Sequence, residues 1–309
     1  MPSLCALFRQ CLPVALLAVF CVATPVSAMP LGDYNLILSG DYHYQGGEVE
    51  GRTLLGGNLN AAGQSPVFGT RLPSPPDTDG LTVVGDVNAG NLNLNGGNMV
   101  YGGSLNLSGN LNNNSGGTIT QMAGLDFSAV FNALTLGSQS YSSMSNNGTF
   151  VGDWLTYAGA GGTAVFNVSA ADVFAQNRSL KLNAGSAETV VVNVSGKNIL
   201  AGGGANLTNG FDVNAGVGNV GARRILWNFF EAESIDFANL AMRGSILAVN
   251  ADITGGAVFD GSVAAKSYTG AREFHDFRFQ PPTSVPEPAL MGLFLIGLGW
   301  LSYRRRLVR

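Results

Sequence analysis

The sequence has few cysteines and few charged residues, and both are unevenly distributed. Charged residues make up 12% of the 309 positions, and Cys5, Cys11 and Cys21 are the three cysteines. An apolar run that ends at Ala23 and small residues up to Ala28 predict a secretory signal peptide over residues 1–28, cleaved between Ala28 and Met29. The exported protein would contain no cysteine, which excludes disulfide bonds and thiolate metal sites.

Positive charge is scarce once this leader and the C-terminal 25 residues are set aside. Residues 29–284 hold 11 Lys and Arg against 19 Asp and Glu, a net charge of −8. Nucleic acid requires a basic face, so we expect no nucleic-acid partner. The two histidines, His43 and His275, sit among aromatic residues and are predicted to be packed or surface side chains. No Gly-x-Ser-x-Gly, His-Glu-x-x-His or phosphate-loop motif occurs, so we predict no enzymatic activity, metal or cofactor.

Glycine is abundant, with 43 residues placed between short apolar stretches. Residues 54–60, 83–88 and 100–106 each contain an apolar pair, a glycine corner and an apolar residue followed by Asn, and residues 244–248 return in similar form at 261–265. Imperfect repeats at this scale are typical of stacked turns, which need neighbours to cover their apolar faces. The predicted fold class is therefore mainly β, a β-solenoid like a parallel β-helix with one packed α-helix.

The repeats assign side chains to the inside and the outside of this solenoid. The residues predicted to point inward are Leu59, Val87, Leu105, Ile246 and Val263. Asn60, Asn88 and Asn106 are expected to form hydrogen-bond ladders, because like residues of successive turns stack about 4.8 Å apart. A low-complexity Gly/Asn linker over residues 85–117 is the alternative, and the alternating leucines there argue against it.

One segment has a helical period. Asp126 is the predicted N-cap, and the apolar residues after it recur three and four positions apart as the chain approaches Asn146. This stripe consists of Phe127, Val130, Phe131, Leu134 and Tyr141. We predict an amphipathic helix that lies along the solenoid and covers apolar surface, although Gly137 weakens it by about 1 kcal/mol relative to Ala.

Two acidic groups bear on chemistry. The first comprises Asp33, Asp41, Glu48 and Glu50, with Arg52 nearby. A capped first turn with a solvated ion pair explains it, while a polysaccharide-active enzyme on a β-helix scaffold is the alternative and would need paired carboxylates in a groove. In the second group, Asp77 and Asp79 before Gly80 resemble half of a calcium loop that lacks the remaining ligands, so an exposed turn is the main prediction and calcium the alternative.

The C-terminus combines a short motif, an apolar run and a basic tail. The motif is Val285, Pro286, Glu287 and Pro288, and the tail contains Arg304, Arg305, Arg306 and Arg309. As a helix, residues 289–303 would reach roughly 22 Å, and flanking aromatic and arginine side chains would help it to span a bilayer. Docking of this run on the domain's own core is the alternative.

Residues 285–309 resemble the PEP-CTERM sorting signal, which is also known as the ice-binding protein C-terminal motif. This resemblance implies a partner, an exosortase-type processing enzyme, that acts on the motif. It also implies transient anchoring in the inner membrane of a Gram-negative bacterium, with the arginines on the cytoplasmic side, and later release to the cell surface or extracellular matrix.

A longer resemblance covers residues 31–279, and its blocks include residues 33–42, 49–58, 192–196, 225–230 and 274–277. They are similar to the choice-of-anchor A domain, and residues 244–270 are also similar to the ice-binding-like β-solenoid. The resemblance implies one domain over residues 29–284 with a structural or adhesive role and with exopolysaccharide or other surface proteins as partners. An ice-binding-like adhesin is a further alternative, but regular Thr-x-Thr faces are represented only by Thr118 and Thr120.

Overall fold

The computed structural model describes residues 29–73, 76–201, 206–207 and 220–280. The predicted leader 1–28, the sorting motif 285–288, the apolar run 289–303 and the basic residues 304–309 lie outside these ranges, so their predictions stay predictions. Within the described ranges, no helix has the length and apolar character needed to cross a membrane.

Residues 36–121 form solenoid turns of three short strands each, and like strands of successive turns pair in parallel. The strands are β1 (Leu36–Leu38), β2 (Tyr42–Gly46), β3 (Glu48–Val49), β4 (Thr53–Leu55), β5 (Leu59–Ala61), β6 (Val67–Phe68), β7 (Asp79–Val83), β8 (Val87–Ala89), β9 (Leu92–Leu94), β10 (Asn98–Tyr101), β11 (Leu105–Leu107), β12 (Leu111–Asn113) and β13 (Ile119–Gln121). Leu36 pairs with Thr53, and Thr53 pairs with Leu81, so each turn lies directly on the previous one. The predicted β-solenoid is confirmed, and residues 85–117 contain strands β8 to β12 rather than a linker.

Glycine forms the corner between the first and second strands of these turns. The backbone N–H of Gly57 donates to Gly40 O at 3.0 Å, that of Gly85 to Gly57 O at 3.0 Å, and that of Gly103 to Gly85 O at 2.9 Å. A Cβ atom at Gly57 would lie 2.6 Å from the carbonyl carbon of Gly40. The corners stack because each lacks the side chain that would hold the next turn away.

After β13 the chain returns along the outside of the solenoid and builds the remaining turns from the opposite end. These elements are α1 (Ser128–Ser142), β14 (Thr149–Val151), β15 (Trp154–Thr156), β16 (Thr163–Ser169), α2 (Ala170–Val173), β17 (Ser179–Asn183), β18 (Thr189–Ser195), β19 (Asn198–Leu200), β20 (Asn206–Leu207), β21 (Ile225–Asn228), β22 (Ser234–Asp236), β23 (Met242–Arg243), β24 (Ser245–Thr254), β25 (Val258–Asp260), β26 (Val263–Ala271) and β27 (Glu273–His275). Short 3-10 helices occupy Pro30–Gly32 and Val220–Arg224. The order of turns in space therefore differs from their order in the chain.

The first and last turns meet in the middle of the stack. Strand β26 lies between β24 on one side and β1 and β2 on the other. Val263 pairs with both Ile246 and Leu36, which closes the joint with parallel hydrogen bonding. The side chains of Ile246 and Val263 point inward and are buried, as predicted, and so are those of Leu59 and Val87.

Helix α1 covers the outer surface of one side of the solenoid, which we call the helix side. Leu134 is 2% exposed and packs with outward apolar residues of that side, among them Ile37, Leu54 and Leu247. The packed helix is thus confirmed. It begins at Ser128 rather than directly after Asp126, whose carboxylate accepts the Ser128 N–H at 2.8 Å without being the N-cap residue.

Gly137 explains how the helix approaches its neighbour. A Cβ atom at this position would lie 2.6 Å from Met29 Sδ. The glycine that weakens the isolated helix therefore lets it pack closely against Met29, and tertiary packing outweighs helix propensity.

Candidate functional site

A second side of the solenoid presents short, mostly polar side chains outward from eight adjacent strands. Matching registers place one outward position of each strand in a continuous row. This row consists of Leu200, Asp236, Thr254, Thr269, His43, Asn60, Asn88 and Asn106. With about 4.8 Å between strands, it extends for roughly 34 Å. The neighbouring residues in each strand point into the core, because side chains alternate across a β-strand.

A second outward row lies two positions before the first row along each chain segment. Its members are Asn198, Ser234, Asp252, Ser267, Asp41, Asn58, Asp86 and Ser104. Asp41 Oδ1 accepts the N–H of Asn58 at 2.7 Å, and Asn58 Oδ1 accepts the N–H of Asp86 at 2.8 Å. These contacts tie each corner to the next turn. We call the two rows together the polar face.

The predicted asparagine ladder lies on the polar face. Asn60 Nδ2 donates to Asp41 Oδ2 at 3.1 Å, Asn88 Nδ2 to Asn60 Oδ1 at 3.3 Å, and Asn106 Nδ2 to Asn88 Oδ1 at 2.9 Å. The ladder is confirmed. Because each amide is held by its neighbour, the face presents hydrogen-bonding groups at fixed spacing, and a ligand would immobilise few additional side chains.

The charge of the polar face is mainly negative. Asp41, Asp86, Asp236 and Asp252 lie on it, and Lys266 Nζ contacts Asp252 Oδ2 at 2.8 Å. Burial alone would raise the pKa of Asp252, but hydrogen bonds from Lys266 and Ser267 lower it below its ordinary value. An array of this kind can donate and accept hydrogen bonds with neutral, hydrated ligands, and it repels anionic polymers.

Comparison with known families identifies the domain that carries this face. A family model described as "Putative Ice-binding-like adhesive domain" matches residues 27–276. The chain belongs to this family. The match includes α1 and every strand of the solenoid, and membership indicates an adhesive domain of the cell surface or extracellular space. Comparison with curated proteins gives no match, and comparison with solved structures gives none either.

The adhesive domain also brings together titratable groups that the sequence analysis kept apart. The third side of the solenoid is the sheet of β12, β9, β6, β3, β27, β25 and β23. There, His275 Nδ1 lies 2.7 Å from Asp260 Oδ1, and His275 Nε2 lies 3.3 Å from Glu273 Oε2. Burial alone would lower the pKa of His275, but Asp260, Glu50 and Glu273 raise it above its ordinary value. Asp260 and His275 meet because they are register partners on β25 and β27. Only the repeat register could have revealed this pair from the sequence.

The predicted acidic group around Arg52 does not form in the adhesive domain. Asp41 belongs to the polar face, whereas Glu48 and Glu50 lie on the third side. Arg52 donates to the backbone oxygens of Asp79 and Asp33, so the expected ion pair with a carboxylate is wrong. Glu50, which is 6% exposed, contacts Arg71 Nε at 3.0 Å instead.

The half calcium loop also gains no support from the structure. Asp77 is exposed, whereas Asp79 is the first residue of strand β7. Among the described residues, no group of three His, Cys, Asp or Glu side chains is arranged to hold a metal ion. This part of the adhesive domain is a loop that leads into a strand, as the main prediction stated.

Proposed function

We propose that this protein is an exported, non-enzymatic adhesin that holds neutral, hydrated matrix polymer, such as exopolysaccharide, through the polar face. The observation that carries the proposal is the pair of rows of mostly small, polar side chains across eight parallel strands, in a chain that belongs to an adhesive family. A regular array of weak hydrogen bonds suits a repetitive polymer, because many contacts act at high effective concentration once the first has formed.

We further propose that the domain is choice-of-anchor A-like and that residues 285–309 are a PEP-CTERM signal. An exosortase-type enzyme would process Pro286–Pro288 while residues 289–303 hold the precursor in the inner membrane. The mature protein would then reach the cell surface or matrix of a Gram-negative bacterium. Intact-mass measurement of the exported protein should show loss of the residues beyond the motif, and retention of Arg304 to Arg309 in the native host would contradict this pathway.

Adhesion can be tested with two matched double variants. Thr254→Tyr with Asn106→Tyr places bulk on the polar face, whereas Thr120→Tyr with Asn114→Tyr places the same bulk on exposed positions elsewhere. Multivalent display of the purified protein on beads should retain the host's exopolysaccharide, and the first variant should lose retention severalfold while the second should not. Retention should persist in added salt, because hydrogen bonding to a neutral polymer is screened less than ion pairing. Equal loss in both variants would argue against the polar face.

Ice is the second candidate ligand, and the family description favours it. Thr254 and Thr269 are register partners on the polar face, but the remaining positions carry Asn, Asp, His, Ser and Leu rather than rows of threonine. We therefore expect little thermal hysteresis from the purified domain. A strong hysteresis that the Thr254→Tyr, Asn106→Tyr variant abolishes would assign the face to ice instead of polymer.

An enzyme remains the alternative from a different class, and one observation favours it. Asp260 and Glu273 both contact the imidazole of His275, and a pair of neighbouring carboxylates is what a glycosidase requires. Asp260 is only 5% exposed, however, which limits its access to a polymer. Sizing exopolysaccharide after incubation with the protein decides the question. Shortening that Asp260→Asn or Glu273→Gln abolishes would overturn the non-enzymatic proposal.

A further inference from the structure

Helix α1 ends before the helix side of the solenoid does. Its last residue is Ser142, and the outer surfaces of β16 and β18 continue beyond it. A cleft of about 550 Å³ opens here between the helix end, the segment before β14 and the loop after β21. This volume lies within the range of about 300 to 1,000 Å³ that is usual for small-molecule sites. The cleft is distinct from the polar face, because none of its lining residues belongs to the two rows.

The floor of the cleft is the end of a second asparagine ladder. Asn228 Nδ2 donates to Asn193 Oδ1 at 2.9 Å, and Asn193 Nδ2 donates to Asn167 Oδ1 at 2.9 Å. Asn228 and Asn193 are buried beneath the helix, whereas Asn167 is exposed in the cleft. Ser195, the outward neighbour of Asn193, also lines the floor. These polar groups are therefore held in place before any ligand arrives.

The walls supply apolar rings and a single carboxylate. Phe150 and Phe230 are half-buried and line the cleft. The carboxylate belongs to Asp172, an exposed residue whose Oδ2 accepts the Ser169 hydroxyl at 2.6 Å. Among the residues that line the cleft there is no Lys, Arg or His. Beside the cleft, Arg178 Cζ lies 5.3 Å from the Phe150 ring centroid, but its guanidinium is paired with Asp153 Oδ1 at 3.0 Å. An anionic ligand would therefore meet the Asp172 carboxylate without an unpaired positive charge to balance it, and a metal ion would meet only one charged ligand.

This combination suits a neutral sugar. Ring faces can pack on the C–H groups of a pyranose, while amide, hydroxyl and carboxylate groups hydrogen-bond its hydroxyls. We propose that the cleft at the end of α1 binds a short neutral saccharide, with Phe150 and Phe230 as packing surfaces and Asp172, Asn167 and Ser195 as hydrogen-bonding groups. The site would give the domain a selective contact in addition to the repeated weak contacts of the polar face, and it does not depend on them.

The test uses the intact domain and a defined set of probes. Cellobiose, maltose, diacetylchitobiose and galactose serve as neutral sugars, and glucuronate serves as the anionic comparison. Saturation-transfer NMR and calorimetric titration should detect binding of at least one neutral sugar to the wild type. We expect Asp172→Asn, which removes the charge, and Phe230→Leu, which removes the ring but keeps the position apolar, to weaken that binding about tenfold or more, because each removes a contact made only at this site.

Two control variants separate sugar binding in the cleft from binding elsewhere on the domain. Asp126→Asn changes another exposed aspartate beside a helix start and should leave sugar binding unchanged, as should the Thr254→Tyr, Asn106→Tyr variant of the polar face. Thermal melts of Asp172→Asn should match the wild type, since asparagine can also accept the Ser169 hydroxyl. The inference is overturned if no neutral sugar binds, if glucuronate binds more tightly than all of them, or if both cleft variants bind like the wild type. Loss of polymer retention alone would affect only the polar-face proposal.

Discussion

The two halves of the solenoid have the same architecture but are stabilised in different places. In the C-terminal half, aromatic rings form a continuous series through the core: Phe174, Phe229, Phe237, Phe259, Phe274 and Tyr268, with ring centroids 5.0 to 6.4 Å apart. Tyr42 of the first turn joins this series across the joint. Beyond it, the core of the N-terminal half is filled mainly by Leu, Val and Ala, with Phe68 as its buried phenylalanine among the described residues.

The N-terminal half has few buried rings and is held together instead by polar contacts on its surface. Its corners are tied by Asp41, Asn58 and Asp86, each accepting a backbone N–H from the next turn, and asparagine ladders run along two of its sides. The C-terminal half has its own ladder, but that ladder is buried under helix α1. The small turns of the N-terminal half, which have few aromatic residues, are therefore held together by polar contacts between successive turns, whereas the larger turns rely on buried rings and a covering helix.

The largest expected loss of stability comes from removing one aromatic ring of the C-terminal half. Phe237 is fully buried and contacts Phe174, Phe229 and Phe259. We expect Phe237→Ala to lower the free energy of unfolding by about 3 to 5 kcal/mol, because both transfer energy and cavity formation count. Urea unfolding followed by circular dichroism gives the value, and hydrogen exchange should show the loss of protection in the C-terminal half.

Leucines of the N-terminal half provide the control for this change. Leu59→Ala, at a fully buried position, should lower the free energy of unfolding by about 2 to 4 kcal/mol. Leu105→Ala should lower it less, because strand β11 lies at the edge of its sheet and leaves Leu105 only half-buried. A Phe237→Ala effect no larger than that of Leu105→Ala would show that the ring series does not distinguish the halves.

A smaller difference should separate the two ladders. Asn193 is 2% exposed, donates to Tyr141 O at 2.7 Å and is bonded to Asn167 and Asn228. Asn193→Ala leaves buried partners unsatisfied and should cost about 2 to 3 kcal/mol. Asn88→Ala, on the solvated polar face, should cost about 1 kcal/mol or less, because water replaces the lost bonds. Urea melts of the two variants measure both losses of stability. Equal losses would mean that burial does not determine how much a ladder contributes to stability.

The smallest expected effect is a change of stability with pH, and it arises from His275 near the joint. The pKa of His275 is raised in the folded protein, so the stabilisation is fully present below its ordinary value of 6.5 and is lost as pH rises through the folded pKa. Relative to His275→Gln, wild-type stability should fall by less than about 1 kcal/mol between pH 6 and pH 8. Amide ladders do not titrate. Urea melts of the wild type and of His275→Gln at both pH values measure this difference. If the difference is absent, the pair of His275 with Asp260 contributes nothing to stability.

The sequence predicted the parts of the fold that are local or repeated. Leu59, Val87 and Leu105 recur with glycine corners, so their inward direction and the ladder beside them could be predicted. The helix had its own period, but its start was misplaced because Asp126 bonds to Ser128 from one position outside the cap. The predicted Arg52 pair failed because a turn changes sides every few residues, so neighbours in sequence face different directions.

Long-range placement could not be predicted in the same way. No local pattern indicates that β26 pairs with β1, over 220 residues away, because the paired segments, 36–38 and 263–265, are short and apolar and would suit many neighbours. The polar face depends on this joint, since His43 becomes the register partner of Thr269 only when the first and last turns meet. The cleft likewise depends on where α1 stops relative to the end of β16, which is a property of packing.

The joint also determines how the domain would carry a mechanical load. Any tether that continues the chain past Gln280 is attached through β27 and β26, which lie at the centre of the stack and not at an end. A polymer gripping either end of the polar face would therefore pull across only part of the turns, and the opposite part would stay relaxed. The load from either side would reach the tether through the pairing of β26, with β24 on one side and with β1 and β2 on the other.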